Sequence, residues 1–253
     1  MTKGIDVSKH NGKIDWEAVK ASGLVDFALI RTGYGVSSPN QKDPYFEYNY
    51  SECKRLGIPI GAYHYSYATS TSAATEEAKF ALGLLEGKSF EYPIYFDIEE
   101  EERHVKLSRG LCTQIVQAFC TSLEAKGYWV GVYSFDSFFS TNLDASVRKR
   151  YATWVARTPK KSKDDGKTIL IPSIDAGIHQ YSFRGSISGV SGEVDLDICY
   201  KDYPSLIKAA HKNGYTAKSY TVTAVQKGLT EDKARETAVY LTKLGMTTSI
   251  KGE

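Results

Sequence analysis

The stretch from residue 92 to residue 99 reads Tyr92-Pro93-Ile94-Tyr95-Phe96-Asp97-Ile98-Glu99. Its aromatic and β-branched residues favour a strand, and its proline stands near the start, where a strand tolerates one. Because side chains alternate between the two faces of a strand, we expect Asp97 and Glu99 on one face and Phe96 and Ile98 on the other. The sequence therefore predicts a buried strand that carries two carboxylates into one site.

Two carboxylates held close together in a partly dry site oppose each other's ionisation, so the pKa of at least one rises. We expect this for Glu99. A protonated acid beside an ionised carboxylate is the pair that glycosidic bond cleavage requires, because one protonates the departing oxygen and the other stabilises positive charge on the sugar or its acetamido group. Asp-x-Glu is a common tripeptide, however, and the alternative is a strand that runs into a solvated acidic loop, as we interpret Glu100–Glu102.

Strand and helix patterns alternate on both sides of this stretch. Strands are predicted at residues 4–7, 26–32, 58–65, 92–99, 128–133, 152–156, 177–181 and 193–198. Helices are predicted at residues 15–22, 44–56, 71–85, 108–126 and 138–150. Asp15 is the expected N-cap of the first helix, and Asp43-Pro44 the expected start of the second. The alternation indicates an α/β fold, and about eight strands are enough to close a parallel-type barrel.

Closure of such a barrel would make the first strand a neighbour of the last. Asp6 and Asp195 would then meet, while Asp97 and Glu99 approach from the far side, all near the strand ends where barrels carry their active sites. Aromatic residues are expected near other strand ends, and an acidic groove with aromatic faces suits sugar rings. These residues are Tyr34, Tyr63, Tyr133, Trp154 and Tyr181. The alternative for each of them is core packing.

Composition narrows the range of functions. The 253 residues include 32 basic and 30 acidic ones, which gives a formal net charge of +2. No global positive field attracts nucleic acid, so we expect no nucleic-acid partner. The four cysteines lack Cys-x-x-Cys spacing and read as reduced, buried thiols. No apolar run reaches the ~18 residues of a membrane span, so no membrane insertion is expected.

Several motifs together resemble glycoside hydrolase family 25, the Chalaropsis-type lysozymes. The match runs in order over roughly residues 3 to 200, which makes it far more specific than any one motif. The segments that carry it are Gly4-Ile5-Asp6-Val7-Ser8, His10-Asn11-Gly12, Asp15-Trp16, Gly61-Ala62-Tyr63-His64-Tyr65, Tyr95-Phe96-Asp97-Ile98-Glu99, Trp154-Val155-Ala156, Gln180-Tyr181, Gly192 and Val194-Asp195-Leu196-Asp197.

The resemblance implies an irregular (β/α)5(β)3 TIM-like barrel and muramidase activity. The expected substrate is bacterial peptidoglycan, cut at the β-1,4 bond between N-acetylmuramic acid and N-acetylglucosamine. Glu99 would be the general acid and base, with Asp97 and Asp6 as its catalytic partners. Asp97 would either attack the anomeric carbon or assist the substrate's acetamido oxygen, with retention in both cases. The expected substrate-binding residues are Asp195, Tyr63, Tyr34, Tyr133, Trp154 and Gln180.

Two positions depart from the family pattern. Arg31 stands where lysine is more frequent, and His179 where tryptophan commonly precedes Gln-Tyr, so either could alter a subsite. His10, His64 and His179 are scattered among carboxylates without the spacing of metal ligands. We therefore expect neither a metal nor another cofactor.

The C-terminal residues predict a small second part. We expect the catalytic barrel at residues 1–203, a linker at 204–217, and a βαβ-like module at 218–253. The module would have strands at 220–225 and 246–250 around a helix from Glu231 to Leu244, N-capped by Thr230. A piece this small rarely folds alone, so we expect it to pair with a second copy in a homo-oligomer, to dock on the barrel or to be an incomplete module. It resembles half of a SPOR-like peptidoglycan-binding domain, which implies cell-wall binding, and the alternative is a structural or dimerising extension.

Localisation follows from the N-terminus, where no signal peptide precedes the first predicted strand. We expect synthesis in the cytoplasm and action on the cell wall after release through a holin-type pore, as for a bacteriophage endolysin. An autolysin exported by another route is an alternative. Alternatives for the activity are a non-catalytic glycan-binding barrel, a chitinase-like glycosidase and an amidase.

Overall fold

The computed structural model describes residues 1–36, 39–99, 102–216 and 230–244. Residues 1–216 form one compact unit, and residues 217–253 are assigned to a second. In the first unit, eight strands close into a barrel in sequence order. They are β1 (Thr2–Val7), β2 (Phe27–Tyr34), β3 (Ile60–Tyr65), β4 (Ile94–Asp97), β5 (Val130–Phe135), β6 (Ala152–Ala156), β7 (Ile178–Gly185) and β8 (Val194–Cys199).

The first six helices of this unit follow the first five strands, and the seventh follows β8. They are α1 (Trp16–Ala21), α2 (Phe46–Leu56), α3 (Thr71–Leu85), α4 (Arg109–Glu124), α5 (Asp136–Thr141), α6 (Ala145–Arg150) and α7 (Tyr203–Ala209). No α-helix separates β6, β7 and β8 in the part of the chain that the structure describes. The predicted α/β barrel is thus confirmed, and the order of elements corresponds roughly to the (β/α)5(β)3 arrangement.

Strand direction changes only where the barrel closes. Neighbouring strands from β1 to β7 are parallel, whereas β8 is antiparallel to both β7 and β1. Asp6 of β1 stands opposite Asp195 of β8 in this register. Closure therefore brings together two acids that are 189 positions apart in the sequence.

The barrel wall separates two apolar cores. Side chains inside the barrel include Tyr63, Tyr95, Tyr133 and Trp154. The core between the barrel and its helices includes Phe96 and Ile98 of the β4 stretch, and the Phe96 ring stacks on Phe119 of α4 with centroids 4.4 Å apart. Burial of the apolar face against α4 fixes which face of β4 points inward.

Two predicted helices differ from the observed ones. Asp15 caps α1 as expected, accepting from the Ala18 amide at 3.0 Å, but α2 begins at Phe46 rather than at residue 44. Asp43 is buried, and its Oδ2 accepts from the Arg31 guanidinium at 2.9 Å, so it binds a charge as well as capping the turn. The helix predicted at 138–150 is two helices, α5 and α6, because the intervening Asp144 amide donates to Thr113 Oγ1 at 3.0 Å.

Residues 204–216 belong to the first unit and do not form the linker that we predicted. Helix α7 is capped by Asp202 and buries Ile207 completely. Asn213 is also buried, and its side-chain amide is satisfied there: it accepts from the Trp129 amide at 2.7 Å and donates to the Tyr92 carbonyl at 2.8 Å. The polar Lys212-Asn213-Gly214 sequence predicted an exposed connector. In the structure the Asn213 side chain instead supplies hydrogen-bond partners for backbone groups of Trp129 and Tyr92.

The second unit is described only in part. Helix α8 (Glu231–Lys243) follows Thr230, in agreement with the predicted helix, and carries an Arg235–Glu231 ion pair. The strands predicted at 220–225 and 246–250, like Glu100 and Glu101, lie outside the described residues. Wall binding or oligomerisation by residues 218–253 stays a prediction. None of the helices that the structure describes has the length and apolar character to cross a membrane.

Candidate active site

A cleft of about 460 Å³ opens at the carboxyl-terminal ends of the parallel strands. We call it the acidic cleft. It brings together nine of the residues predicted for the site, namely Asp6, Tyr34, Tyr63, Asp97, Glu99, Tyr133, Trp154, Gln180 and Asp195. Tyr181, which we also expected there, is not part of the lining. It follows Gln180 on β7, so it points to the other face, with its ring 6.2 Å from that of His179.

Strand β4 and the residues directly after it carry Asp97 and Glu99 into this cleft, since β4 ends at Asp97 and not at residue 99 as predicted. Hydrogen bonds from both neighbouring strands fix the backbone around them. On one side the Ser66 amide donates to the Asp97 carbonyl at 2.9 Å, and on the other the Ile98 amide donates to the Tyr133 carbonyl at 3.1 Å. The Ser134 hydroxyl donates to the Ile98 carbonyl at 2.6 Å. The two carboxylates are therefore held on a rigid strand end, with Asp97 buried and Glu99 half-buried.

Three further aspartates are clustered where β1 meets β8. Asp6 and Asp195 line the cleft, and Asp197 lies fully buried behind them. Burial raises the pKa of Asp6 well above its usual value, and the negative charges of Asp195 and Asp197 raise it further. Burial also raises the pKa of Asp195 to about 7 and that of Asp197 to about 8. The cluster therefore retains protons near neutral pH.

Gln180 connects this cluster to the opposite wall. The Tyr133 hydroxyl donates to Gln180 Oε1 at 2.7 Å, and Gln180 Nε2 donates to Asp6 Oδ2 at 2.7 Å. The same nitrogen lies 3.5 Å from Asp195 Oδ2. A chain of hydrogen bonds thus runs across the barrel from β5 through β7 to β1, which fixes the orientation of the groups beside Asp97 and Glu99.

The aromatic residues form a floor and a wall. Trp154 is the centre of the floor, with its ring 4.3 Å from that of Tyr133 and 5.4 Å from that of Tyr63, and its indole N–H donates to Asp197 Oδ1 at 2.7 Å. Only 1% of Trp154 is exposed, so its ring packs in the core inside the barrel as well as lining the cleft. Tyr34 and Tyr67 are half-buried and meet edge to face at 5.6 Å, and they provide the accessible wall.

Sequence reasoning missed several members of the site. Tyr67 lines the cleft beside Tyr65, and it continues the alternation of Tyr63 and Tyr65 past the end of β3, so the spacing could have identified it. Ser8, Lys9 and His10 also line the cleft, as does Arg31, which we had expected only to alter a subsite. Asp197 was not predicted as a site residue, although it stands two positions after Asp195 on β8 and alternation along the strand places both on one face.

Glu77 of α3 holds the loop that carries Tyr67. The carboxylate is 1% exposed, and it accepts from the Ser66 hydroxyl at 2.7 Å and from the Tyr67 amide at 2.8 Å. Burial raises its pKa to about 7. Because Ser66 also bonds to the Asp97 carbonyl, this carboxylate supports both the aromatic wall and the end of β4.

We expect Glu77→Gln to destabilise the protein by about 1–3 kcal/mol, because one acceptor oxygen becomes an NH2 group that faces a buried donor. The neighbouring Glu76→Gln is the matched control. Glu76 is exposed and pairs only with Lys79 among the residues described, so its loss should change the free energy of unfolding by less than about 0.5 kcal/mol. Urea unfolding of both variants measures the difference, and equal values would contradict the role of Glu77.

The aspartate cluster also predicts how stability depends on pH. Its carboxyls hold protons to a higher pH in the folded chain than in the unfolded chain, where the ordinary pKa is 3.8. The free energy of unfolding should therefore fall as pH rises from about 4 to about 8. Asp197→Asn should reduce this slope, although Glu77 contributes in the same direction. An unchanged slope in urea titrations across this range would contradict the cluster's protonation.

The histidines near the cleft have structural partners. His64 is fully buried, with Nδ1 3.1 Å from Thr32 Oγ1 and Nε2 2.8 Å from the Gly35 carbonyl oxygen, and burial lowers its pKa to about 4. Burial also lowers the pKa of His179. Over the described ranges, no group of three or more His, Cys, Asp or Glu residues is arranged to hold a metal ion.

Comparison with known proteins agrees with this geometry. The sequence profile of Glycosyl hydrolases family 25 matches residues 5–190. The chain belongs to this family. One relative, the autolytic lysozyme of Clostridium acetobutylicum, is 32% identical over 199 residues. That alignment covers 77% of this chain and 55% of the Clostridium protein, so the chain spans little more than half of that relative's length.

Solved structures with the same barrel include two at 26% identity and a TM-score of 0.69. One is a bacterial lysozyme from Streptomyces coelicolor, for which the match covers 83% of this chain and 96% of that one. The other is the catalytic domain of an endolysin from a bacteriophage of Listeria monocytogenes, with 82% and 97% covered. Both matches cover nearly all of the other chain, so this chain contains counterparts of almost the whole of those two structures.

Proposed function

We propose that the protein is a muramidase that hydrolyses the β-1,4 bond between N-acetylmuramic acid and N-acetylglucosamine in bacterial peptidoglycan. The observation that carries the proposal is the end of β4, where Asp97 and Glu99 share the acidic cleft with Asp6 and Asp195. Family membership and the lysozymes among its relatives support the same substrate class.

In this proposal Glu99 is the general acid. It gives its proton to the glycosidic oxygen as the bond breaks, then takes a proton from the water that attacks the sugar. Asp97 stays ionised and stabilises positive charge at the anomeric carbon, either by attacking it or by orienting the substrate's acetamido oxygen for attack. Both routes invert the anomeric centre twice, so we expect net retention.

In this proposal Asp6 assists catalysis and Asp195 binds substrate, both through the hydrogen bonds and charge that they hold in the cleft. Protonated carboxyls of Asp6 and Asp195 can donate hydrogen bonds to substrate groups, and they add less negative charge beside Asp97 than ionised ones would. The Tyr133–Gln180–Asp6 chain of hydrogen bonds would keep them in place. Tyr63, Tyr34 and Trp154 would contact sugar faces, with Tyr34 the most accessible of them.

The experiment that tests the proposal follows the anomer formed first. Purified cell walls should lose turbidity with the wild-type protein, and NMR of a soluble glycan digest should show the β-anomer before mutarotation. Absence of lysis would favour the alternative of a glycan-binding barrel without activity. An α-anomer as first product would contradict the two-carboxylate retaining mechanism.

We also propose a role in host-cell lysis, as for an endolysin. The endolysin catalytic domain from a Listeria phage supports it by structural likeness, whereas the autolytic lysozyme of Clostridium shows that relatives also include autolysins. The test is expression in a susceptible bacterium. Lysis should require a holin or another agent that opens the membrane, and lysis without such an agent would contradict the proposal.

For residues 218–253 we propose cell-wall binding. Co-sedimentation of the full chain and of a chain ending at residue 216 with Glu99→Gln in both would measure it without digestion. The longer chain should bind more walls, and equal binding with a concentration-dependent mass for the longer chain would indicate homo-oligomerisation instead.

A further inference from the structure

A second cleft, also of about 460 Å³, lies at the opposite end of the same barrel strands. Val130 and Ala152, the first residues of β5 and β6, line it, whereas the acidic cleft uses residues further along these strands. We call this second site the basic cleft. Its cations are Arg148, Lys149, Arg150, Lys201 and Lys212.

Most of the positive charge in the basic cleft is not neutralised by the protein. Its lining contains one acid, Glu124, which pairs with Arg150 at 2.7 Å. Lys201 lies 3.8 Å from the exposed Asp175, at the limit of an ion pair. Arg148, Lys149 and Lys212 have no carboxylate at ion-pair distance among the residues described. In a protein whose formal net charge is only +2, this is a strong local concentration.

The cations come from separate parts of the chain. Arg148 and Lys149 are in the last turn of α6, where a helix favours positive charge for its own stability. Lys201 follows β8, and Lys212 follows α7, so helix stability does not account for them. Cations from one helix and two connecting segments around one concave site favour a ligand with repeated anionic groups over a single small ion.

Aromatic and apolar groups line the same cleft. Tyr128 and Trp129 are half-buried, and Leu206 is 45% exposed. Such faces pack against the C–H groups of sugars and polyols, as they do in carbohydrate sites. The combination of cations with aromatic faces therefore matches a chain that alternates phosphate with polyol or sugar.

We propose that the basic cleft binds a phosphodiester-linked polyol polymer attached to the bacterial wall. The choice of a wall polymer rests on the proposed muramidase function, because the enzyme would work where such polymers are attached. Binding there would hold the barrel at the wall through one end and leave the acidic cleft at the other end open to glycan. Nucleic acid shares the phosphodiester chemistry and is an outcome of the test.

The fluorescence of Trp129 makes the site measurable. The chain has three tryptophans, and Trp16 and Trp154 are each 1% exposed, so Trp129 is the accessible one. Titration of the full chain with purified poly(glycerol phosphate) should change the emission, and Trp129→Phe should abolish that change. The triple variant Arg148→Gln/Lys149→Gln/Lys201→Gln should bind about tenfold or more weakly, with the difference shrinking at high salt.

A second triple variant, Lys3→Gln/Lys20→Gln/Lys106→Gln, is the matched control. It removes the same charge from three exposed lysines that line neither cleft, and it should bind as the wild type does. Thermal unfolding checks that both triple variants fold. Equal affinity of the two triple variants would overturn the site.

Three comparisons define the ligand. Inorganic phosphate at the same phosphate concentration should compete weakly, and equal competition would overturn a polymer site. Duplex DNA should bind more weakly than the polymer, and tighter, cleft-dependent DNA binding would overturn the assignment. Walls stripped of phosphodiester polymers with hydrofluoric acid should retain less protein than intact walls. All of these experiments measure binding, so they can be made with the Glu99→Gln variant. Their interpretation would therefore not change if the proposed muramidase activity were absent.

Discussion

Glu99→Gln should lower the rate of wall lysis by about a thousandfold, because glutamine has nearly the same shape but no proton to give to the leaving oxygen. The substitution removes the carboxyl group and leaves in place the hydrogen bonds that the Ile98 backbone makes with the Tyr133 carbonyl and the Ser134 hydroxyl. The fold should therefore be unchanged, and binding of walls should be unaffected. Initial rates of turbidity loss at matched protein concentration measure the effect.

The control for this variant is Glu102→Gln. Glu102 is exposed and stands three positions further along the acidic run, so loss of its charge should leave the rate within about twofold. A similar loss of rate in both variants would indicate a general effect of negative charge on wall binding. A wild-type rate in Glu99→Gln would remove Glu99 from the reaction.

Asp97→Asn should lower the rate by about a hundredfold to a thousandfold, because the amide cannot stabilise positive charge at the anomeric carbon. It should also move the alkaline limb of the pH–rate profile to lower pH. The negative charge of Asp97 is expected to keep Glu99 protonated, and its removal lets Glu99 ionise more readily. Profiles of wild type and variant on the same walls measure both effects.

The outcomes separate the two roles open to Asp97. If it attacks the sugar, Asp97→Asn should lose activity equally on glycans with and without the N-acetyl group at the reacting sugar. If it orients the acetamido oxygen, glycans that lack this group should be poor substrates even for the wild type. An alkaline limb that stays in place or moves to higher pH would contradict electrostatic coupling between the two carboxylates.

The parts of the site that follow from strand geometry could be predicted from the sequence. Alternation along β4 assigned Asp97 and Glu99 to one face, because Phe96 and Ile98 had to be buried on the other. The meeting of Asp6 with Asp195 followed from closure of an eight-stranded barrel. Both inferences depend on regular geometry, which the apolar pattern specifies over many residues.

What could not be predicted depends on contacts between distant segments. The sequence predicted Asp43 as a helix cap, but Asp43 also binds Arg31. It predicted Asn213 as part of a linker, but the Asn213 side chain bonds to the backbone of Trp129 and Tyr92. Glu77 reads as one more acid on a helix surface. Its burial beneath the Tyr67 loop is known only from the packing of α3. Polar residues with such tertiary partners have no periodic signal in the sequence.

The central claim is that this barrel cuts the glycan on the muramic acid side through Glu99. Reduction of digested walls with borohydride, followed by hydrolysis and identification of the sugar alcohols, tests it most directly. The wild type should yield muramicitol in proportion to lysis, and Glu99→Gln should yield almost none. Glucosaminitol as the main product, or new free amines without new reducing ends, would contradict the account.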